Sequence, residues 1–182
     1  MSKFTDNASE KLLVVAGKIS NQKHMASIKN AFYTLMPVIL TGAFCTLISN
    51  VVCSTTTTGI SLAKLPGMSW LGMFTDLFTA ANYATLNFFT VAAVFLIGME
   101  LAKQNGLGDS PDSGVVAVCS FISVLPTYVV TTVNDVQVTV PNVLGKDYTA
   151  ARGLFLGMVI ALVSVEIYSK FVKSHVFDFK MP

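Results

Sequence analysis

The sequence predicts an all-α, polytopic membrane protein with about four transmembrane helices, interfacial amphipathic helices and a short extracellular β-hairpin. Hydrophobic residues make up 53% of the 182 residues and charged residues 12%, where a soluble domain carries about 25% charged residues. The mean hydropathy is +0.64, and four apolar runs approach the roughly 20 residues that a span needs. This composition excludes an ordinary soluble enzyme. The net charge of +2 is too small to predict a nucleic-acid partner.

Residues 1–30 predict a cytoplasmic, amphipathic helix on the inner leaflet. Lysines and a glutamine recur on one helical face, and small or apolar side chains lie on another. The basic face consists of Lys11, Lys18, Gln22 and Lys29, and the other of Leu12, Ala16 and Ile19. Anionic lipids attract each lysine near the surface by about 1 kcal/mol, so the bilayer is the expected partner. Docking of a soluble protein is the alternative.

The first two predicted spans are Ala31 to Val52 and Ala84 to Ala102. Pro37 lies one to two turns into the first span, where it kinks the helix or marks its start. Before the second span, apolar residues recur at steps of three and four behind Trp70, which predicts a helix lying in the membrane interface. A longer, tilted span that includes Asp76 is the alternative. The apolar face consists of Leu71, Phe74, Phe78 and Ala81.

The third predicted span runs from Gly114 to Val133 and contains Pro126. The following residues alternate between valine and polar side chains, and Asn134-Asp135 can form a turn. This pattern predicts a short β-hairpin at the membrane surface.

The fourth predicted span runs from Ala150 to Tyr168. Gly153 and Gly157 form a GxxxG pattern, which lets two helix backbones approach closely. The predicted contact lies either within the chain or between chains.

The lysine and arginine distribution predicts that both termini are cytoplasmic. Nine of these residues fall in the N-terminal segment, the second loop and the C-terminal tail, and three fall on the other side. The predicted organisation is an interfacial helix (1–30), a four-span scaffold domain (31–170) and a cytoplasmic tail (171–182), located in the plasma membrane.

Three kinds of polar residue inside or beside the spans, Glu, Asn and His, are functional candidates by default. The favoured interpretations are structural: Glu166 pairs with Lys170, and Glu100 pairs with Lys103. Asn50 and Asn87 bond neighbouring helices rather than a sugar hydroxyl. The histidines, His24 and His175, are solvated at the interface.

The sequence contains no pattern typical of a catalytic, metal or cofactor site. It lacks a Walker loop, a Ser/His/Asp arrangement and metal-ligand spacing. The three cysteines, Cys45, Cys53 and Cys119, lie in or beside apolar runs, where a thiol acts as a small hydrophobic side chain. No catalytic residue, metal or cofactor is therefore expected.

Four segments resemble the IIC component of lactose/cellobiose-type permeases of the bacterial phosphotransferase system. Two of them, ARGLFLGMVIALVSVEIYSKF (Ala151–Phe171) and FDFKMP (Phe177–Pro182), are the most specific. The others are KHMASIKNAFYTLMPVILTGAF (Lys23–Phe44) and FLIGMELAKQNGLGDSPDSG (Phe95–Gly114). The resemblance covers essentially this whole chain but only the first part of the family, whose members are more than twice as long.

The resemblance implies the N-terminal part of a permease that translocates a β-linked disaccharide such as cellobiose. It implies a homodimer and phosphorylation of the sugar by a soluble IIB partner. In the family, the sugar site and its His and Glu lie in the second half, so this part is scaffold and dimer interface and is not expected to be catalytic alone. Its scaffold positions are Pro37, Gly153, Gly157 and Glu166. The alternative is a self-contained membrane protein that acts as a structural or regulatory subunit.

Overall fold

The computed structural model describes residues 22–56, 60–109, 111–133 and 135–174, and most of these are helical. The predictions for residues 1–21 and 175–182, including His175, lie outside the described residues. Within these described residues, six α-helices and two strands follow in chain order: α1 Lys23–Leu47, α2 Thr75–Asn82, α3 Phe89–Gln104, α4 Pro111–Val124, β1 Tyr128–Val133, β2 Val136–Pro141, α5 Lys146–Thr149 and α6 Leu154–Lys173. Shorter helical turns extend several of them: π-helix at Ile48–Cys53 and Tyr83–Asn87, and 3₁₀-helix at Leu62–Lys64, Ser69–Phe74 and Ala151–Gly153.

Helix α3 lies at the centre of the bundle. It packs against α1, α4 and α6, and α4 also packs against α6. Its side chains Ala93, Val94, Ile97 and Leu101 are fully buried. Because α3 carries no charged residue from Phe89 to Met99, three neighbours can enclose this part of the helix without burying a charge.

The bundle has two ends that differ in composition. Helices α1 and α4 begin at one end, where α3 and α6 finish; Lys23 and Asn105 meet there. We call it the lysine-rich end, and its described cations are Lys23, Lys29, Lys103, Lys170 and Lys173. At the opposite end, the Thr90 hydroxyl donates to the Ala150 carbonyl at 2.6 Å and joins the start of α3 to the start of α6.

Two helices of the described part are long and apolar enough to cross a membrane: Lys23–Cys53, of 31 residues, and Ala151–Lys173, of 23 residues. A third candidate is the pair Ser69–Asn87 and Phe89–Gln104, which meet at a bend of 42°. Helix α4 has 14 residues and is about 21 Å long at 1.5 Å per residue, shorter than the roughly 30 Å hydrocarbon core. The prediction of four spans therefore stays a prediction.

The predicted end of the third span is wrong. It was expected to reach Val133, but α4 ends at Val124 and Tyr128–Val133 is strand β1. Pro126 explains the difference, because proline disfavours helix at the residue before it and the following residues include the β-branched Val129, Val130 and Thr131.

The predicted hairpin is confirmed. Strands β1 and β2 pair antiparallel, with Val133 opposite Val136. Asp135 has a φ of 62°, the left-handed conformation that Asp tolerates in two-residue hairpin turns. Its extracellular location stays a prediction.

The second predicted helix also begins later than expected. Residues 83–87 form a π-helical turn, and regular α-helix starts at Phe89 rather than Ala84. Phe88 has a φ of −103° and a ψ of 13°, outside the helical region, and this residue carries the bend. The interfacial location of residues 70–81 stays a prediction.

Candidate functional site at the lysine-rich end of the helix bundle

A cluster of polar side chains joins three helices at the lysine-rich end. We call it the clasp and define it as Lys23, Asn105, Glu166 and Ser169. The Lys23 ammonium lies 2.5 Å from Glu166 Oε1, which ties the first turn of α1 to α6. The exposed fraction is 43% for the Lys23 side chain and 25% for that of Glu166. The pair is therefore partly shielded from water and stronger than a fully exposed ion pair.

Asn105 connects the clasp to α3. It is the C-cap residue of that helix, and its Oδ1 accepts a hydrogen bond from Lys23 Nζ at 3.1 Å. Its Nδ2 donates to Ser169 Oγ at 3.2 Å and lies 3.5 Å from Glu166 Oε1. Gly106 follows with a φ of 79°, a conformation that glycine adopts without strain. The turn at Gly106 directs the following residues away from the clasp, while the Asn105 side chain stays in contact with its partners in the clasp.

His24 lies beside the clasp and is not simply solvated. Its Nδ1 is 3.8 Å from Glu166 Oε1, and 32% of the side chain is exposed. Nδ1 itself is buried and has no hydrogen-bond partner in the described part of the chain. The imidazole therefore faces the carboxylate without bonding it, since 3.8 Å exceeds hydrogen-bonding distance.

The expected pairs between neighbours along one helix are wrong. Glu166 contacts Lys23 and Asn105 instead of Lys170, because α1 begins and α3 ends next to it. Glu100 Oε2 accepts a hydrogen bond from Asn30 Nδ2 at 3.1 Å. Lys103 Nζ contacts Asp109 in the following loop at 3.0 Å.

The arrangement can hold helices together, but it offers no evident chemistry. The shallow groove beside it has a volume of about 380 Å³ and is lined by His24, Glu166 and three aliphatic residues of α6. Within the described residues, no three His, Cys, Asp or Glu side chains converge as metal ligands. The clasp is therefore a structural link between α1, α3 and α6.

Gly157 is a point of close contact inside the chain. A Cβ at this position would lie 2.7 Å from Val94 Cγ2 and 2.8 Å from Thr90 Cγ2 of α3. Ala161, Val165 and Ser169 continue the same buried stripe at steps of four. Of the two open alternatives, the structure thus shows a contact within the chain at Gly157. The alternative, a self-contained subunit, was predicted to assemble through this glycine face, which is already in contact within the chain at Gly157.

Gly153 and Pro37 lie elsewhere. Gly153 is buried against the backbone of Tyr148 in the turn before α6, where any side chain would clash. Pro37 is inside α1 and does not mark its start. Since proline has no N–H, the Tyr33 carbonyl loses its helical donor. The Thr41 hydroxyl donates to the Pro37 carbonyl at 2.8 Å.

The prediction that Asn50 bonds a neighbouring helix is wrong, and the same prediction for Asn87 stays a prediction. Asn50 Nδ2 donates to the Thr46 carbonyl of its own helix at 2.9 Å, so its bond is local. Asn87 lies in the π-helical turn before the bend. Asn82, which the pattern did not single out, reaches from α2 to Thr46 Oγ1 and lines a polar pocket of about 180 Å³ with Asn50.

Sequence reasoning also missed Asn30, Asn105 and Ser169 as contact residues. Asn105-Gly106 indicates a helix end, but partners on other helices are set by the tertiary packing. A larger apolar groove of about 650 Å³ between α1, α3 and α4 was likewise not predicted; Leu35, Phe95 and Val118 contribute to it.

Comparison with known proteins gives the family. The family model described as "Phosphotransferase system, EIIC" matches residues 29–182. This chain belongs to the EIIC family of the phosphotransferase system. Its members are membrane proteins, in agreement with the apolar helices described above.

The EIIC relatives are distant in sequence but match almost the whole chain. The oligo-beta-mannoside-specific EIIC component of Bacillus subtilis (strain 168) is 28% identical over 97% of this chain and 37% of the relative. The lichenan permease IIC component of the same organism is 28% identical over 100% and 39%. The cellobiose-specific EIIC component of Geobacillus stearothermophilus is 24% identical over 97% and 38%. The chain thus spans about two fifths of the length of these relatives.

A solved structure has the same fold over this region. The transporter ChbC, the IIC component of the N,N'-diacetylchitobiose-specific phosphotransferase system, superposes with a TM-score of 0.76 at 26% identity. The match covers 95% of this chain and 39% of ChbC. The helix arrangement described above is therefore that of one part of a IIC transporter.

Proposed function

We propose that this chain forms the N-terminal scaffold of an EIIC permease that translocates a β-linked disaccharide such as cellobiose. The observation that carries the proposal is the match to EIIC relatives over nearly all of this chain and about two fifths of theirs. Their names include cellobiose, oligo-beta-mannoside and lichenan, which share β-linked sugars. The complete permease binds the disaccharide outside and presents it inside to a phosphorylated IIB protein.

The scaffold has four spans with both termini in the cytoplasm. The spans are α1, the bent segment that ends in α3, α4, and α6. Helix α4 is too short to cross the bilayer core by itself. Its flanking residues lengthen the span, and local thinning of the membrane accommodates the remaining difference in length. The excess of lysine at one end supports a cytoplasmic location of that end.

The described scaffold contains no evident sugar site, and this supports a division of labour. Its polar contacts join helices to one another, as in the clasp. Homodimer formation is proposed through outward-facing apolar surfaces, because Gly157 is already used within the chain.

The test compares the complete gene product with residues 1–182 in cells that lack their own β-disaccharide permease. We expect the complete product to support phosphoenolpyruvate-dependent uptake of radiolabelled cellobiose. We expect residues 1–182 to insert into the membrane but to take up none. Uptake by residues 1–182 alone would overturn the scaffold assignment. A complete product that is inserted but moves no β-linked disaccharide would overturn the proposed substrate.

A further inference from the structure

The β-hairpin has two faces of different chemistry. Residues paired across an antiparallel sheet lie on the same face, so the register Val129–Val140, Thr131–Val138 and Val133–Val136 defines one face with five valines and one threonine. We call it the valine face. The other face carries Tyr128, Val130, Thr132, Gln137, Thr139 and Pro141.

The valine face is open in the bundle. The exposed fractions of Val133, Val136 and Val138 are 53%, 62% and 42%. An isolated two-stranded hairpin in water is marginally stable at best, and a contiguous apolar face of this kind marks a surface that is normally covered.

The position of the hairpin indicates what covers it. It is inserted between α4 and α6 at the end opposite the lysine-rich end, and the Val143 N–H donates to the Thr127 carbonyl at 3.2 Å to close its base. Neither strand contains an Asp, Glu, Lys, Arg or His residue. The hairpin therefore leaves the bundle where α4 ends and before α6 begins.

Aromatic residues at the same end of the bundle support a position of the hairpin at the membrane surface. Trp70, Tyr128 and Tyr148 are exposed by 57%, 55% and 37%, and Trp and Tyr concentrate at the boundary between headgroups and acyl chains. Phe155, in the first turn of α6, is exposed by 74%. An apolar surface thus continues from α6 to the level of the hairpin.

We propose that the hairpin lies on the lipid bilayer, with its valine face toward the acyl chains and the opposite face, which carries Thr132, Gln137 and Thr139, toward water. The two outer strand edges keep their free backbone groups hydrated, as lipid-facing edges require. The proposal goes beyond sugar transport and rests on the membrane placement of the bundle.

The experiment places one fluorescent label on each face of β2. Cys45, Cys53 and Cys119 are first replaced in the complete gene product. Val138→Cys and Thr139→Cys are then labelled with an environment-sensitive probe, and the proteins are reconstituted in phosphatidylcholine vesicles. Quenching is measured with lipids spin-labelled near the headgroup and along the acyl chain, and with aqueous iodide. We expect iodide to quench position 139 about threefold more than position 138, as for an interfacial amphipathic element, and the lipid quencher to reverse that order.

Reference labels at Leu40 and Val163, exposed by 53% and 55% in the apolar helices α1 and α6, separate the possible failures. If a reference position is reached by lipid quenchers but position 138 is reached by iodide, or is protected from both quenchers, the lipid contact of the hairpin is overturned. If neither reference position is reached by lipid, the membrane placement itself is overturned. The uptake assay is independent of both results.

Discussion

The amide side chain of Asn105 bonds to two other helices at once. It accepts from Lys23 and donates to Ser169, so one residue at the end of α3 aligns the start of α1 with the last turns of α6. An amide suits this position because it can accept and donate at the same time. A carboxylate could accept from Lys23 but could not donate to the Ser169 hydroxyl.

Glu166→Gln should lower the free energy of unfolding by about 1–2 kcal/mol, because it removes the charge that a partly shielded lysine faces. Unfolding can be followed in detergent with a thiol-reactive dye, since Cys45 and Cys53 are exposed by 8% and 1%. Exposed Cys119 is replaced by serine in every variant.

The matched control is Asp147→Asn. Its partner Arg152 is 83% exposed and Asp147 is 73% exposed, so we expect little change. In a double-mutant cycle with Lys23→Gln, the effects of Glu166→Gln should be non-additive. Strict additivity would contradict a direct contact between Lys23 and Glu166.

At the scale of single residues, the sequence identified the important side chains more reliably than it identified the residues that they contact. Glu166 was singled out as an ionisable residue in an apolar helix, but spacing along the helix pointed to Lys170. Lys23 is far away in sequence, and only the packing of α1 and α6 against the same helix, α3, brings the two together.

At the scale of elements, α3 approaches both α6 and α4 closely in the bundle core. Gly157, Ala161, Val165 and Ser169 present a narrow stripe to α3. The approach between α3 and α4 is similarly close, because a Cβ at Gly98 would lie 2.9 Å from the Ser113 carbonyl. Small residues on the facing sides let the helix backbones come together.

Gly157→Leu should destabilise the monomer by about 3 kcal/mol or more, beyond the usual range for overpacking. A single Cβ would already be too close to Val94 and Thr90, and leucine adds three further carbons. The buried-thiol unfolding assay measures the loss, and analytical ultracentrifugation in detergent reports the oligomeric state.

Val163→Leu is the control on the same helix, because Val163 faces outward with 55% exposed, and it should leave stability unchanged. A Gly157→Leu protein with normal stability but weakened self-association would show that the contact lies between chains instead.

Elements were predictable where local pattern and local geometry agree. The hairpin follows from alternating valines around Asn134-Asp135, and its register is as the turn requires. The end of the preceding helix was misplaced because the apolar run continues through Pro126 into β1. Apolar runs do not distinguish a buried helix from a strand.

At the scale of the whole molecule, the unequal distribution of lysine and arginine predicts the orientation in the membrane. A single cysteine at Lys173 should stay unlabelled by a membrane-impermeant maleimide in intact cells, while one at Lys64 at the opposite end should be labelled. The reason is the positive-inside rule.

Permeabilised cells supply the control, since both positions are exposed and should then react equally. Labelling of Lys173→Cys but not Lys64→Cys in intact cells would invert the proposed topology. Labelling of both in intact cells would contradict the three spans proposed between Lys64 and Lys173, because an odd number of spans places the two positions on opposite sides of the membrane.

The clasp also has a consequence for biosynthesis. Lys23 emerges from the ribosome long before Glu166, so the first helix must enter the bilayer with its lysine unneutralised and wait for its partner. Helices α3 and α4 can settle against it in the meantime, but the bundle closes only when the last helix is inserted. Interrupted synthesis before Glu166 should therefore leave an open, protease-sensitive intermediate in the membrane.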